Sequence, residues 1–282
     1  MQVLRTANEL RRWSRSARVA GGATIGLVPT MGALHAGHAS LMRAARAACT
    51  HVAVSLFVNP TQFGINEDFT RYPRAFEADC ALAEAEGADV LFAPAVEELY
   101  PNGTNSTFVE VPGLSERLDG ASRPGHFRGV TTVVTKLFAV AEPDRAYFGQ
   151  KDAAQVAVLR RMIADLNLAT EIVACPIVRD ADGLALSSRN AYLTKADRTH
   201  ALILSRTIRH VEFIVKEGER RASMLLAVAR AALAVEPEVR VDYIARVDWA
   251  TLEPVDMAVP GTLFAVAALV GDTRLIDNTV LS

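Results

Sequence analysis

Two histidines three residues apart lie in the segment whose residue types most clearly suggest chemistry. His35 and His38 belong to PTMGALHAGH (29–38), between a β-rich run and the start of a predicted helix. The N–H groups at a helix N-terminus attract anions, and imidazoles there can donate hydrogen bonds to phosphate oxygens. The pattern predicts a nucleotide site. A capping or solvent-facing role stays open, as does a metal site, although no third ligand is obvious nearby.

The segment FVNPTQF (57–63) ends a second predicted strand and carries two uncharged amides, Asn59 and Gln62. Amides beside a rigid proline suit a hydroxylated or carboxylated small molecule better than they suit acid–base catalysis. The alternative is that the Asn-Pro pair only initiates a turn.

A third polar segment, GQKDAAQ (149–155), also runs from a strand end into a helix. Lys151 and Gln155 are four residues apart and share a helix face, with Asp152 beside them. A lysine here can neutralise phosphate, and the aspartate can take part in a magnesium–phosphate network. A solvated helix face is the alternative.

The fourth segment, LSSRN (186–190), brings two hydroxyls and a guanidinium together at Ser187, Ser188 and Arg189. This combination suits a phosphate clamp, with a polar strand end as the alternative. Neither GxGxxG nor GxxxxGK[ST] occurs in the chain, which excludes the usual dinucleotide fingerprint and the P-loop.

The elements that must position these segments alternate between strand and helix. Apolar strands are predicted at 24–30, 52–58, 89–93, 145–148 and 172–178, with helices between them. This order predicts a Rossmann-like α/β fold, a parallel sheet with helices on both faces. The first three polar segments then fall at carboxyl ends of strands, where ligands bind in open α/β sheets. The segment 100–128 has the weakest pattern, and both a loop near the site and a surface excursion stay open.

The pattern changes near residue 177. Helices are predicted at 194–216 and 222–235, and strands at 239–247, 263–270 and 274–277. We therefore predict two domains: 1–177, which binds the nucleotide and the small-molecule substrate, and 178–282, a smaller α+β C-terminal domain that carries the LSSRN phosphate loop.

Composition limits the function classes. The 282 residues are 50% hydrophobic, and 30 Lys+Arg against 32 Asp+Glu give a formal net charge of -2. This balance argues against a nucleic-acid partner. Three scattered cysteines favour a reducing cytoplasm, and the longest apolar run is far shorter than the roughly 20 residues that span a bilayer. The arginine-rich N-terminus resembles a transit peptide, but its Thr6–Glu9 capping box favours an ordinary helix.

Six motifs in order resemble the pantoate–β-alanine ligase family of the HIGH-motif nucleotidyltransferase superfamily. They are PTMGALHAGH, FVNPTQF, DFTRYPR (68–74), RPGHFRGV (123–130), YFGQKD (147–152) and LSSRN. His35-Ala-Gly-His38 resembles the HIGH element, and 187–189 resembles a divergent KMSKS loop. Ala36 and Ala39 stand where bulkier or charged residues are common in the family, at positions without a chemical role.

The resemblance implies a reaction in two steps, with pantoate bound by the 1–177 domain. The carboxylate of pantoate attacks the α-phosphorus of Mg-ATP and gives pantoyl adenylate and pyrophosphate. The amine of β-alanine then attacks the acyl group and gives pantothenate and AMP. The implied cofactors are ATP as a substrate and Mg²⁺, and the implied assembly is a homodimer.

The resemblance also assigns residues. His38 is the proton donor, and His35, Lys151, Ser187, Ser188 and Arg189 join it as catalytic groups. Pantoate is assigned to Gln62 and Gln155, Gln62 also meets β-alanine, and Asn59 belongs to the same substrate set. The ATP site is assigned to Met31, Gly32, Ala33, Leu34, His35, Ala36, Gly37, His38, Gly149, Gln150, Lys151, Asp152, Val178, Leu186, Ser187, Ser188 and Arg189.

Two other classes stay as rivals. A nucleotidyltransferase that stops at adenylyl transfer would share the HxGH element but would not need FVNPTQF. A non-catalytic nucleotide-binding module would not need the clustered cationic groups.

Overall fold

The computed structural model describes residues 1–19, 21–64 and 67–282. The chain divides into two compact units, one formed by Met1–Gly149 with Val158–Cys175, the other by Gln150–Ala157 with Pro176–Ser282. The segment 150–157 therefore belongs to the second unit, although it follows directly on a strand of the first. A division between functional domains at 177 and 178 stays a prediction.

The first unit contains a parallel sheet with the strand order β1-β4-β3-β2-β5-β6. The central strands are buried along almost their whole length, because helices cover both faces of a parallel sheet and leave no solvated side. The predicted Rossmann-like sheet is confirmed. The strands are β1 (Gln2–Leu4), β2 (Ile25–Thr30), β3 (His51–Leu56), β4 (Val90–Phe92), β5 (Arg145–Gly149) and β6 (Glu171–Cys175).

The helices of the first unit alternate with its strands along the chain. The predicted capping box opens the first of them, with Glu9 N–H donating to Thr6 Oγ1 at 3.2 Å and Thr6 N–H donating to the Glu9 carboxylate at 2.9 Å. The helices are α1 (Ala7–Val19), α2 (Ala36–Ala48), α3 (Phe76–Ala85), α4 (Val96–Leu99), α5 (Asp119–Ser122) and α6 (His126–Ala141). The next helix, α7 (Ala153–Asp165), begins in the segment assigned to the second unit and ends in the first.

The second unit is the predicted smaller α+β structure. Its antiparallel sheet has the order β7 (Val239–Asp248), β8 (Thr262–Val270) and β9 (Thr273–Val280). Two helices, α8 (Lys195–Lys216) and α9 (Ala222–Leu233), pack their apolar faces with this sheet into one core. Across the described parts of both units, no helix has the length and apolar character needed to cross a membrane.

Candidate active site

The segment after β2 makes a tight left-handed turn before α2 begins. Gly32 has φ 89° and Ala33 has φ 50°, so two successive residues lie in the left-handed region. Such values cost a glycine little, whereas a residue with a Cβ needs external support to hold them. Thr30 Oγ1 accepts from Gly32 N–H at 3.3 Å and donates to the Ser55 carbonyl of the neighbouring strand at 2.7 Å.

That support comes from Asp79 on α3, whose side chain is almost completely buried. Its carboxylate accepts the backbone N–H groups of Ala33 at 3.0 Å and Leu34 at 2.7 Å. Burial raises the pKa of the Asp79 carboxyl above its usual range, while the two N–H donors oppose this shift. Asp79 thus holds the turn from behind. Asp79 was not predicted from the sequence, because its hydrogen-bond partners lie more than 40 residues away.

His35 and His38 cap the first turn of α2 reciprocally. His35 Nδ1 accepts from Gly37 N–H at 3.1 Å, and His38 Nδ1 accepts from His35 N–H at 3.3 Å. Because both Nδ1 atoms accept, each neutral ring carries its proton on Nε2. The ring centroids are 4.2 Å apart. Two Nε2–H donors and a helix N-terminus lie together, which is an arrangement suited to phosphate oxygens. The capping contacts are compatible with the predicted anion role, which stays a prediction.

The turn after β3 brings Gln62 next to Met31. Gln62 Nε2 donates to Met31 Sδ at 3.1 Å, and Gln62 Oε1 accepts from Asn59 Nδ2 at the same distance. Asn59 is 1% exposed and Gln62 is 9% exposed. Tyr100 Oη donates to Asn59 Oδ1 at 2.8 Å, and Asn59 Nδ2 also donates to the Gly129 carbonyl at 3.1 Å. The Asn59 amide is thus bonded within the unit and orients Gln62.

The motif RPGHFRGV, for which sequence reasoning assigned no role, holds the same turn from another side. His126 Nδ1 lies 2.8 Å from the Gln62 carbonyl, and Arg123 Nη2 donates to that carbonyl at 3.4 Å. Arg123 Nη1 lies 3.0 Å from His126 Nε2. A guanidinium only donates, so Nε2 accepts and Nδ1–H donates to Gln62.

An ion pair with Glu67 fixes the orientation of Arg123. Arg123 Nε donates to the Glu67 carboxylate at 2.8 Å. Burial acts to raise the pKa of Glu67, but the Arg123 guanidinium outweighs it and holds the pKa below its usual range. The Gln62 turn is therefore fixed at its side chain by Asn59 and at its carbonyl by Arg123 and His126.

In the second unit, Lys151 lies in a single 3-10 turn, Gln150–Asp152, that precedes α7. Its ammonium lies 3.4 Å from the Asp152 carboxylate, and the Lys151 side chain is 20% exposed. Asn278 on β9 donates to the carbonyls of Gln150 and Lys151 at 3.0 and 2.8 Å. Gln155 follows on the first turn of α7.

The other predicted phosphate segment of this unit is 186–190. At its start, Leu186 N–H donates to the Val178 carbonyl at 2.9 Å. Ser187 then caps a 3-10 helix, Ser188–Tyr192, and its Oγ accepts from Arg189 N–H at 3.3 Å. Asn190 Nδ2 donates back to the Ala185 carbonyl at 3.0 Å. This helix and the Gln150–Asp152 turn both pack against β9.

The predicted site residues therefore fall into two groups, one on each unit. The structure brings Met31, the histidine-capped helix and Gln62 together in the first unit, and places Lys151 and the 186–190 segment around β9 in the second. The supporting groups Asp79, Arg123, His126 and Asn278 were not predicted. Only RPGHFRGV offered a sequence signal for any of them.

Comparisons with known proteins agree along the whole chain. The family model Pantoate-beta-alanine ligase matches residues 2–280. The pantothenate synthetase of Acidobacterium capsulatum is 61% identical over 261 residues, 93% of this chain and 87% of that protein. The pantothenate synthetase of Koribacter versatilis is 56% identical over 281 residues, 100% of this chain and 96% of that protein.

Solved structures give the same result. A pantothenate synthetase from Thermus thermophilus superimposes with a TM-score of 0.92 at 44% identity, covering 99% of both chains. A pantoate-beta-alanine ligase from Francisella tularensis superimposes with a TM-score of 0.82 at 32% identity, covering 99% of this chain and 97% of that one. The latter protein was crystallised in complex with beta-gamma ATP and beta-alanine.

Proposed function

The chain belongs to the pantoate–β-alanine ligase family, and we propose that its ATP-dependent condensation of (R)-pantoate with β-alanine runs through a pantoyl-adenylate intermediate. The observation that carries this function is the family match over residues 2–280. In the first step the pantoate carboxylate displaces pyrophosphate from the α-phosphorus of ATP. In the second step the β-alanine amine displaces AMP, giving pantothenate.

The first step brings a carboxylate to a polyphosphate, so negative charge accumulates where two anions already meet. Groups fixed in advance to receive that charge contribute most to such a reaction. We propose that His35 and His38 donate from Nε2 to phosphate oxygens and that His38 is the proton donor of the family assignment. Their Nδ1 bonds support this role, because they fix both the ring orientation and the donor atom. The backbone of the turn 31–34 would contact the same nucleotide.

Pantoate is assigned to Gln62, and β-alanine meets the same side chain. The Gln62 side chain accepts a hydrogen bond from Asn59, which is itself bonded to the Gly129 carbonyl of α6. The Gln62 backbone carbonyl is held by Arg123 and His126. We propose that Asn59 acts through Gln62 rather than by touching substrate, since its own amide is bonded within the unit.

The second unit supplies the remaining groups. We propose that Lys151 and Arg189 neutralise the phosphates of the same ATP, that Ser187 and Ser188 donate hydrogen bonds to them, and that Gln155 binds pantoate. The short turns that carry these residues support the assignment, because backbone N–H groups and cationic side chains together form anion sites. Gly149, Gln150, Asp152, Val178 and Leu186 complete the ATP assignment.

Magnesium would accompany ATP. Among the described residues no group of three or more His, Cys, Asp or Glu side chains could hold a metal ion. Mg²⁺ bound with ATP takes most of its ligands from phosphate and water and needs only one or two carboxylates. Asp152, 47% exposed beside Lys151, fits that requirement. The ion would screen phosphate charge and make pyrophosphate a better leaving group.

We also propose that the enzyme works in the cytoplasm as a homodimer. The family resemblance supports the dimer. The three cysteines support a reducing compartment, since all are free thiols in the structure.

One assay tests the reaction. Purified protein with Mg-ATP and pantoate should release pyrophosphate in an amount close to that of the enzyme, and addition of β-alanine should start continuous release of both pyrophosphate and AMP. Continuous pyrophosphate release that ignores β-alanine would favour an adenylyltransferase. Binding of ATP without any release would favour a non-catalytic module.

The substrate assignment has a separate test. Gln62→Ala should raise the KM for pantoate while the Kd of ATP measured alone stays unchanged. An equal loss of ATP affinity in calorimetry would contradict the assignment of Gln62 to pantoate.

A further inference from the structure

Asn278 lies near the end of the chain but holds the turn that carries Lys151. Its Nδ2 donates to the Gln150 carbonyl at 3.0 Å and to the Lys151 carbonyl at 2.8 Å. Its Oδ1 accepts from Gln150 Nε2 at 3.3 Å. The residue is 3% exposed. All of these atoms belong to the second compact unit.

The chemistry of an amide matches this position. Asparagine offers two N–H donors and one carbonyl acceptor on a short side chain, and here both donors and the acceptor have partners in the turn. An isosteric aspartate would place a carboxylate oxygen against two carbonyl oxygens. Alanine would leave both carbonyls without these donors.

Gln150–Asp152 is one short 3-10 turn between the end of β5 and α7. The orientation of the Gln150 and Lys151 peptide groups sets the direction in which the Lys151 side chain leaves the backbone. Two hydrogen bonds to successive carbonyls therefore fix that direction.

The strand that carries Asn278 is a rigid support. β9 pairs with β8 along its length, from Leu263 opposite Val280 to Val270 opposite Thr273. The preceding residue, Asp277, is 2% exposed and accepts two hydrogen bonds from Arg179, at 2.6 and 2.9 Å. A support of this kind limits the movement of the turn before ATP binds, which is the requirement for preorganised charge stabilisation.

We propose that Asn278 is a positioning residue for adenylate formation, which acts by fixing the direction of Lys151. This inference rests on the proposed role of Lys151 at the ATP phosphates. Asn278 acts on the reaction through the lysine and not by contact with a substrate.

The test uses the full-length enzyme and the variants Asn278→Ala, Asn278→Asp, Lys151→Ala and the double variant Asn278→Ala/Lys151→Ala. Thr207→Val is the matched control, because Thr207 is a buried polar residue of the same unit whose hydroxyl has no hydrogen-bond partner among the described residues. Single-turnover pyrophosphate release with saturating pantoate gives the rate of adenylate formation and its ATP dependence. Thermal melting of each variant identifies the temperature range in which it is folded.

The effect of replacing Asn278 should depend on whether Lys151 is present. With Lys151 present, Asn278→Ala should slow adenylate formation on the order of tenfold and raise the ATP concentration for half-maximal rate, with Asn278→Asp slower still. With Lys151 already replaced, adding Asn278→Ala should change the rate by less than about twofold. The KM for β-alanine should stay within about twofold in Asn278→Ala, since pyrophosphate has already left before β-alanine displaces AMP in the second step.

Three results would overturn the inference. Unchanged adenylate kinetics in a folded Asn278→Ala variant would leave Asn278 with a structural role alone, as would loss of folding in both Asn278 variants. An equal slowing with and without Lys151 would show that Asn278 does not act through the lysine. Failure of the wild-type enzyme to release pyrophosphate would instead contradict the proposed function, so the two failures are distinguishable.

Discussion

Substituting Gly129 by alanine should displace the turn that carries Gln62. Gly129 lies on α6, where the helix meets the turn after β3, and a Cβ built there falls 2.4 Å from the Thr61 carbonyl oxygen and 2.6 Å from Gln62 N. Both neighbours are backbone atoms, so no side-chain rotation relieves the overlap. Restoring an ordinary contact of about 3.5 Å requires the helix and the turn to separate by about 1 Å.

The effect on activity should exceed the effect on stability. Overpacking of this kind costs about 1–3 kcal/mol, whereas replacing glycine by alanine within a helix contributes about 1 kcal/mol of stability. The two terms partly cancel. A displacement of about 1 Å at a substrate-positioning group lowers reactivity by as much as about 100-fold. We therefore expect kcat/KM for pantoate to fall on the order of 10–100-fold.

The assay is steady-state kinetics in pantoate at saturating ATP and β-alanine, with ATP binding measured separately by calorimetry. Gly64→Ala is the matched control, because the nearest neighbours of a Cβ there among the described residues are atoms of the Glu67 side chain, at an ordinary contact distance of 3.6 Å. We expect that control to keep the wild-type KM for pantoate. A Gly129→Ala enzyme that melts at a higher temperature and keeps wild-type kcat/KM for pantoate would contradict this prediction, because the helix would then not constrain the turn.

His38→Ala and Lys151→Ala should each slow pyrophosphate release on the order of 10²–10³-fold, as expected for loss of one preorganised donor; wild-type release by the folded variants would remove these residues from the mechanism. Mg-ATP should protect segment 183–192 from hydrogen exchange much more than pantoate does, and equal exchange with and without saturating Mg-ATP would contradict the phosphate role of this segment. Burial raises the pKa of Asp79 above its usual value, so the protonated form is favoured by folding. Its contribution to stability is then complete below the unfolded-state pKa and falls as the pH rises through the raised folded-state pKa. When the melting temperature is measured against pH, the Asp79→Asn variant should not show this decrease. A variant with the same pH profile as the wild-type protein would contradict the prediction.

Several elements were predictable because their causes are local. Continuous apolar strands separated by amphipathic helices indicated a parallel sheet, and the Thr6–Glu9 capping box indicated the start of α1; the structure confirms both. By contrast, β1 spans only Gln2–Leu4, which is too short for a recognisable pattern, and it exists because it pairs with β4.

The ligase assignment came from six ordered motifs, and the comparisons confirm it. The motifs also gave the residue types expected at the two phosphate segments and at Gln62, whose individual roles stay predictions. The family and the residue types of its site can be predicted from sequence because the chemistry of a site allows few residue types at each position. In a short motif those positions also have fixed spacing along the chain.

The support behind those residues was decided only by the tertiary structure. Asp79 holds a turn more than 40 residues before it, and Asn278 holds carbonyls 127 and 128 residues away. Their partners are backbone N–H and carbonyl groups, which every residue except proline offers alike, so no residue type or spacing marks them in the sequence. Only the folded chain brings those particular backbone groups within hydrogen-bonding distance of these side chains. The number of residues between two groups in the sequence does not determine how far apart they lie in space.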